Sequence, residues 1–575
     1  MIRLWKRVLA LVNNAVAVAI RPFDRFAEES ADASGGIVPR AKYGVGRTRT
    51  VLAPLWRRSV RAWMVLTGFG VYLGLQLTIA LLVENLWWWF IVAFFIVAGS
   101  LALAAARPTL AFLVWVFSSP LGFIFLRLDF GKGLPAITYD RIVIVVLAAL
   151  LIVRTLSRRE SIRKLILAEW LTVAFTLYIA VSLFFWETAK LISFLGIIAA
   201  QFDHIGLAII LYFVTKASLT KRDHIVWVIV VLIGVGTYVA ASGFYEHFTG
   251  NMWFSSFIPG EWGLATQDVG RGRATGPMLN PTPYGTLLGI TAFAALHIAA
   301  WTKNKAAKLF YYLAVPFVVI ACYFCYTRGG YITLGLMVLG MPFLARGNRK
   351  VYAMAGVTAI LVGMVAVPIL LTNPDFHKRM SNVGTIYNRI AITASTINIV
   401  KHHPWFGVGL GNIDEALEVY ITNAGQLSGL YARSYFPNKR YLLPVQTSHN
   451  SLLTILAEEG VVGFGLYAGA IIAFVVTMWR IRSKLPDKGY LGKDFVSFVL
   501  LAVVGHYVSI ATYDVRFFKY PTYVLWILLA LVIRLNELGS EKQLNEDTSR
   551  RPHLNHGEGT DQFAFPQFNG AMKHD

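Results

Sequence analysis

Long apolar runs, each nearly free of charge, recur along this chain and constrain its fold more than any other feature. Examples span residues 63–83, 87–106, 165–186 and 225–245. Runs of about 16–25 residues can cross a hydrocarbon layer of roughly 30 Å at 1.5 Å per residue. Lipid offers no partner to an open backbone, so such a run must be a helix. Membrane β-strands would read as segments of about ten alternating residues, and that pattern is absent. The sequence predicts an all-α, polytopic transmembrane helical bundle of about 12–14 spans. Candidate spans start near residues 62, 87, 109, 141, 165, 191, 224, 283, 308, 329, 351, 451, 493 and 518. Composition agrees: 56% of the residues are hydrophobic, against about 45–50% in soluble chains.

Lysine and arginine outnumber acidic residues 53 to 31, for a net charge of +22. In a soluble domain that excess would suggest nucleic acid. Here the basic residues flank apolar runs, where they set topology, and no nucleic acid is implied. Every second short connection is basic: Arg57, Arg58 and Arg61; Arg154, Arg158, Arg159, Arg163 and Lys164; Lys216, Lys221 and Arg222; Lys303, Lys305 and Lys308; Arg346, Arg349 and Lys350; Arg480, Arg482, Lys484 and Lys488. The positive-inside rule then puts both termini on the cytoplasmic side. The expected layout is a cytoplasmic segment over 1–61 and a transmembrane bundle over 62–371 with an outer loop at 247–281. A large outer loop follows over 372–449, then C-terminal spans over 450–535 and a disordered cytoplasmic tail over 536–575. Residues 5–20 read as a short interfacial helix. They are not a secretory signal, because about 60 residues rich in Arg and Lys precede the first long apolar run. Cys322 and Cys325 share one apolar run with no His or acidic neighbour, which favours packing over redox or metal chemistry.

The 372–449 loop is too long for a simple connector, and loops of that size are usually functional. Ile386, Ile390, Ala394, Ile397 and Val400 recur at helical spacing, so an amphipathic helix is expected there. The stretch His402-His403-Pro404-Trp405-Phe406-Gly407-Val408-Gly409-Leu410-Gly411-Asn412 follows. Proline stops the helix and the alternate glycines permit tight turns. No strand precedes them, so a turn is favoured over a phosphate cradle. The loop closes on Ser448-His449-Asn450 and leads into a span through Glu458, Gly460 and Gly463.

These residues resemble a known family. "HNSLLTILAEEGVVG" is similar to the His-Asn-…-Glu-x-Gly-x-x-Gly signature of the O-antigen ligase and O-antigen polymerase-like family. "HHPWFGVGLGN", "TRGGYITLGL" (327–336) and "GRATGPMLNPTPYG" (272–285) resemble three further segments of that family, in its order. The usual Asn-Pro-Asn reads Asn280-Pro281-Thr282 here. The resemblance implies a bacterial integral-membrane glycosyltransferase of the GT-C type. Such an enzyme takes an undecaprenyl-pyrophosphate-linked glycan and transfers it to an acceptor glycan or lipid-linked saccharide on the periplasmic face of the inner membrane. It implies no cofactor, and contact with the lipid bilayer and with polysaccharide assembly proteins.

The residue types suit that chemistry. A departing pyrophosphate needs cations that stay charged, and the arginine fork matches phosphate oxygens. Arg271, Arg273 and Arg328 are the candidates, with Arg389 in reserve. No Asp/Glu cluster suited to a metal occurs in the outer loops, so a metal-independent, inverting displacement is expected. The acceptor hydroxyl needs a base, and a histidine titrating near pH 6.5 can take its proton. His449 is that candidate, with Asn450 and Glu458 in support and Gly407, Gly409 and Gly411 shaping the neighbouring turn. The structural alternatives are a helix-start or interfacial role for His449, helix capping by Ser448 or Asn450 and headgroup anchoring for Arg328. His402 and His403 read as solvated helix-end residues, and Arg516 and Lys519 as a second place for an anion. A rival class is a secondary transporter or channel for an anionic or glycan-related solute. It would turn on Glu187, Lys190, Asp203 and His204 facing a central cavity.

Overall fold

The computed structural model describes residues 98–100, 102–122, 127–128, 137–157, 164–182, 205–253, 269, 272–372, 383–420, 448–512 and 519–550. The stretch 5–20, the span near 62, most of the span near 87, the first part of the span near 191 and the tail beyond 550 lie outside the described residues. In chain order the helices are α1 (Pro108–Ser118), α2 (Tyr139–Ser157), α3 (Leu167–Ser182), α4 (Leu207–Ser218), α5 (Arg222–Thr249), α6 (Pro281–Trp301) and α7 (Lys305–Tyr323). They continue as α8 (Arg328–Leu344), α9 (Arg349–Leu371), α10 (Val383–His402), α11 (Ile413–Val419), α12 (Ser451–Lys484), α13 (Lys493–Ile510) and α14 (Tyr520–Arg550). The strands described are two residues long, β1 (Arg127–Leu128) paired antiparallel with β2 (Ile137–Thr138).

The fold is a helical polytopic bundle. α5, α6, α7, α12, α13 and the Tyr520–Ser540 part of α14 are long and apolar enough to cross a bilayer, and α3, α4, α8 and Pro108–Leu121 are shorter apolar helices. Each candidate span start from 109 onward, apart from 191, falls within three residues of a helix start. That agreement follows from the physics of lipid, where burial and backbone satisfaction select the same segments.

α6 is the centre of the bundle: 89% of its membrane-length window is buried, against 28% for α7. Its start is fixed by Asn280, whose side-chain oxygen accepts from the Thr282 N–H at 2.9 Å, with Pro281 at the first helical position. Small residues let its neighbours approach closely. A Cβ added to Gly285 would lie 3.0 Å from the Gly330 Cα of α8 and 2.8 Å from the Cys325 sulfur. Both cysteines are buried and free. The Cys322 thiol lies 3.5 Å from the Gly285 carbonyl, and Cys325 Sγ 3.1 Å from Thr327 Oγ1.

α12 and α13 run antiparallel, joined by the turn at 485–492, with the Tyr467 and Tyr507 hydroxyls 3.0 Å apart. Five residues beyond Tyr507, Thr512 stands opposite about Val462 at 1.5 Å per residue. A Cβ on Gly329 would lie 2.8 Å from the Thr512 hydroxyl. The start of α8 therefore stands level with the region of α12 just past Gly460.

The opposite end of the bundle is tied by charge. Buried Glu169 accepts from the Tyr212 hydroxyl at 2.7 Å and the Ile166 N–H at 2.9 Å, and it pairs with Lys216. Lys216 also pairs with Glu537 at 2.6 Å, Glu537 with Arg534 at 3.2 Å, and Arg534 donates to the Leu219 carbonyl at 2.7 Å. This network changes the expected disordered tail over 536–575. Glu537 is locked into it, and α14 continues to Arg550.

Candidate active site

The amphipathic helix expected in the 372–449 loop is α10, but its buried face differs from the apolar stripe in the sequence. Ile390 and Ile397 are exposed, whereas Ile392, Ser395, Thr396 and Ile399 are buried. Two of those four, Ser395 and Thr396, are small hydroxyl residues, and the Thr396 hydroxyl donates to the Ile392 carbonyl at 2.8 Å. Ile399 packs with Val408, Ile413, Ala416, Leu417 and Ala457, joining α10, the glycine turn, α11 and α12 in one apolar cluster.

α12 is interrupted at Gly460, whose φ of 65° and ψ of −171° belong to a region open essentially to glycine alone. The turn at 404–409 is spliced into this break. Val461 and Val462 would ordinarily donate to the carbonyls of Ala457 and Glu458. Instead they donate to Pro404 at 2.8 Å and Trp405 at 3.2 Å. The freed carbonyls of Ala457 and Glu458 accept from Val408 at 2.9 Å and Gly409 at 2.8 Å. Two helical bonds are thus exchanged for four to the turn, and no strong backbone group is left open. Gly407, at φ 70°, comes so close that a Cβ there would lie 2.3 Å from the Glu458 carbonyl. The glycines therefore form a turn, and the N–H groups of Val408 and Gly409 serve α12.

Three non-glycine residues adopt a left-handed backbone among the described residues: Leu279, Tyr326 and His449. Each stands immediately before the N-cap of a helix, respectively α6, α8 and α12. Asn450 is the cap of α12, its side-chain oxygen accepting from Leu452 and Leu453 at 3.1 Å each. Its carbonyl face is thereby committed to the helix start. Ser448 pairs with Thr454 at 2.6 Å and fixes the approach. His449 is exposed on this turn at φ 52°.

Arg328 is the first residue of α8 and is exposed. Partial burial, and then the Arg328 cation, lower the Arg389 guanidinium from its ordinary value. The two arginines therefore lie within electrostatic reach of each other, although 61 positions separate them in sequence. Arg273 reaches the same neighbourhood from another loop, with Nε donating to the Cys325 carbonyl at 3.4 Å. The Ala274 N–H donates to Phe324 at 2.9 Å.

Sequence reading passed over the groups that hold the Arg273 loop. The buried Glu246 carboxylate accepts from the N–H groups of Thr275 and Gly276 at 2.8 Å each, and from the Thr275 hydroxyl at 3.3 Å. His247 donates from Nδ1 to the Gly272 carbonyl at 2.9 Å, and its ring stacks on Phe324 at 4.0 Å. A lone Glu-His pair at a helix end carries no sequence signal of this kind. A hydrogen bond to a charged group contributes about 1.5–3 kcal/mol. Glu246→Gln, which keeps one acceptor and adds a donor, is expected to cut transfer activity about tenfold with helix content unchanged. Wild-type rates in reconstituted vesicles would show that this loop positions nothing the reaction uses.

Other expectations fall elsewhere. His403 bonds the Tyr420 hydroxyl at 2.7 Å and His402 bonds the Asn398 carbonyl at 2.8 Å, both local to the loop subdomain. Lys519 pairs at 3.5 Å with Asp140, which also accepts from Trp115 at 3.2 Å and Ser119 at 2.7 Å. Glu458 is buried where the turn meets α12. Glu459, which sequence reading left aside, is equally buried, and the Tyr178 hydroxyl donates to its carbonyl at 2.7 Å. Arg271, Arg516, Glu187, Lys190, Asp203 and His204 lie outside the described residues.

Residues 312–468 match the family model described as O-antigen ligase. The chain carries that family's domain. The O-antigen ligase match takes in Arg328, Arg389, the spliced turn, His449 and Glu458, and it starts beyond Arg273 and the Asn280-Pro281 cap. No curated protein matches the chain. The match supports a likeness to the O-antigen ligase-like family, and with it a general role in joining glycans at a membrane.

Proposed function

We propose that this protein transfers glycan units from an undecaprenyl-pyrophosphate donor to an acceptor sugar hydroxyl on the periplasmic face of the bacterial inner membrane, as a polysaccharide polymerase or ligase. The observation that carries this reading is that Arg328 and Arg389, on separate elements, lie within electrostatic reach of each other. Two cations within reach of each other suit an anion with charge at two centres, as a pyrophosphate has. Arg273, bonded to the Cys325 carbonyl just ahead of α8, adds a third cation near the start of that helix. The N-terminus of α8, where Arg328 stands, favours negative charge as well.

In this scheme the acceptor hydroxyl gives its proton to the His449 imidazole as its oxygen attacks the anomeric carbon. The bond from that carbon to the pyrophosphate oxygen breaks, and the electron pair leaves on the polyprenyl pyrophosphate. The arginines stabilise this leaving charge as it develops, in place of a metal ion. One displacement inverts the anomeric centre. His449 is exposed at the turn before α12, which leaves its imidazole open to an acceptor, while Asn450 serves as the cap.

The test is a reconstituted assay with a lipid-linked glycan donor, scored by release of polyprenyl pyrophosphate. Arg328→Lys keeps the charge and loses the planar fork, so transfer is expected to fall by about tenfold or more. Unchanged transfer would overturn bidentate phosphate binding at Arg328.

A further inference from the structure

Trp405 and Phe406 are 65% and 64% exposed, yet the backbone around them is fixed. The Pro404 and Trp405 carbonyls receive the N–H groups of Val461 and Val462, and Val408 and Gly409 donate back to α12. Two large aromatic side chains are thus held outward by a rigid splice. The α12 residues they border, Val461 and Val462, are exposed too, and further along the helix Ile472, Val476 and Trp479 are exposed as well. From Val461 to Trp479 the helix rises about 27 Å, close to a hydrocarbon thickness of roughly 30 Å. Trp479 is followed by Arg480, a pattern that marks one bilayer boundary. The opposite boundary then falls at Val461, where the splice places Trp405 and Phe406.

We propose that the 404–409 turn is a membrane-interface wedge, with Trp405 and Phe406 seated in the lipid leaflet at the His449 end of the bundle. Lipid is the occupant because the two rings stand at one end of a span whose exposed apolar residues, Val461, Val462, Ile472, Val476 and Trp479, are spread along its length. Residues 404–410 carry no charge to oppose insertion. An amphipathic indole suits the boundary between headgroup and acyl chain. The wedge also fixes depth. The splice ties the rings to the Gly460 break, so buried Glu458, together with the level of Arg328, is held at headgroup height. The inference stands apart from the donor and acceptor proposed above, and its failure would leave that reaction scheme intact.

The test uses the full chain in lipid nanodiscs, with a thiol-reactive fluorophore at Phe406→Cys. Native Cys322 and Cys325 are buried. Nitroxide lipids labelled near the headgroup are expected to quench this probe about twofold or more beyond lipids labelled at the acyl terminus, and beyond aqueous iodide. The same probe at Ile472→Cys should show the reverse depth order. Trp405→Cys serves in the same way if Phe406→Cys accumulates poorly. Dominant quenching by iodide would put the turn in water and overturn the wedge. Quenching by neither agent, in discs holding one chain, would mean protein covers the rings and would overturn it equally.

Discussion

Replacing His449 with asparagine is expected to cut glycan transfer by about 10²–10⁴-fold, the usual worth of a general base, with little change in folding. The choice of asparagine matters because His449 has a left-handed backbone, at φ 52°. Such a conformation costs roughly 1–2 kcal/mol for most side chains, and asparagine is among those that tolerate it. His449→Ala alone would confound loss of the imidazole with added backbone strain. His449→Gly removes the ring and relaxes the turn, so it should lose transfer while unfolding at the same or a higher temperature. Together the two variants separate chemistry from conformation. If His449→Asn transfers glycan at the wild-type rate, the residue serves only to turn the chain into α12, and the base lies elsewhere.

Gly460→Ala is expected to remove most folded protein. The observed φ and ψ are nearly closed to other residues, at a cost of order 1–3 kcal/mol. A Cβ there would also stand 2.3 Å from the Trp405 carbonyl oxygen and 2.5 Å from the Phe406 nitrogen, both backbone atoms with little freedom to retreat. Relief would require withdrawing the turn, which opens four backbone hydrogen bonds at once. Against a total stability of about 5–15 kcal/mol, that combination is severe. Abundance in the membrane fraction and the unfolding temperature in detergent are the measurements. An alanine variant with unchanged unfolding temperature would mean that the turn is not docked in the break. Gly465, which meets nothing within 4 Å of an added Cβ, gives the matched control, where alanine should be tolerated.

The two sites differ in how they could be read from sequence. His449 and the family motif were visible as residue types in order, and the O-antigen ligase match over 312–468 supports the family on which the motif reading rested. The splice was not visible. "GVGLG" and "AEEGVVG" each look like local glycine punctuation, and only their contact shows that one turn completes the hydrogen bonding of the other's helix. Likewise Glu246 and His247 sit at the end of an ordinary apolar helix. Their part in holding the Arg273 loop follows from contact with residues 272–276, which come 25 to 30 positions later in the chain. Hydrophobicity marks one apolar face on α10, whereas the face that is buried contains Ser395 and Thr396.

By itself the sequence determined the class of structure and where the helices begin. A hydrocarbon layer leaves a backbone no choice but to satisfy itself locally, so the length and apolarity of each run decide its fate independently of the rest. Tertiary structure decided everything that depends on two distant segments meeting. It brought Arg328 within electrostatic reach of Arg389, packed Gly285 against Gly330, and broke α12 at Gly460 to receive the turn that carries Trp405 and Phe406. Those outcomes rest on close approach between backbones and on charge placed through space, which no local pattern encodes.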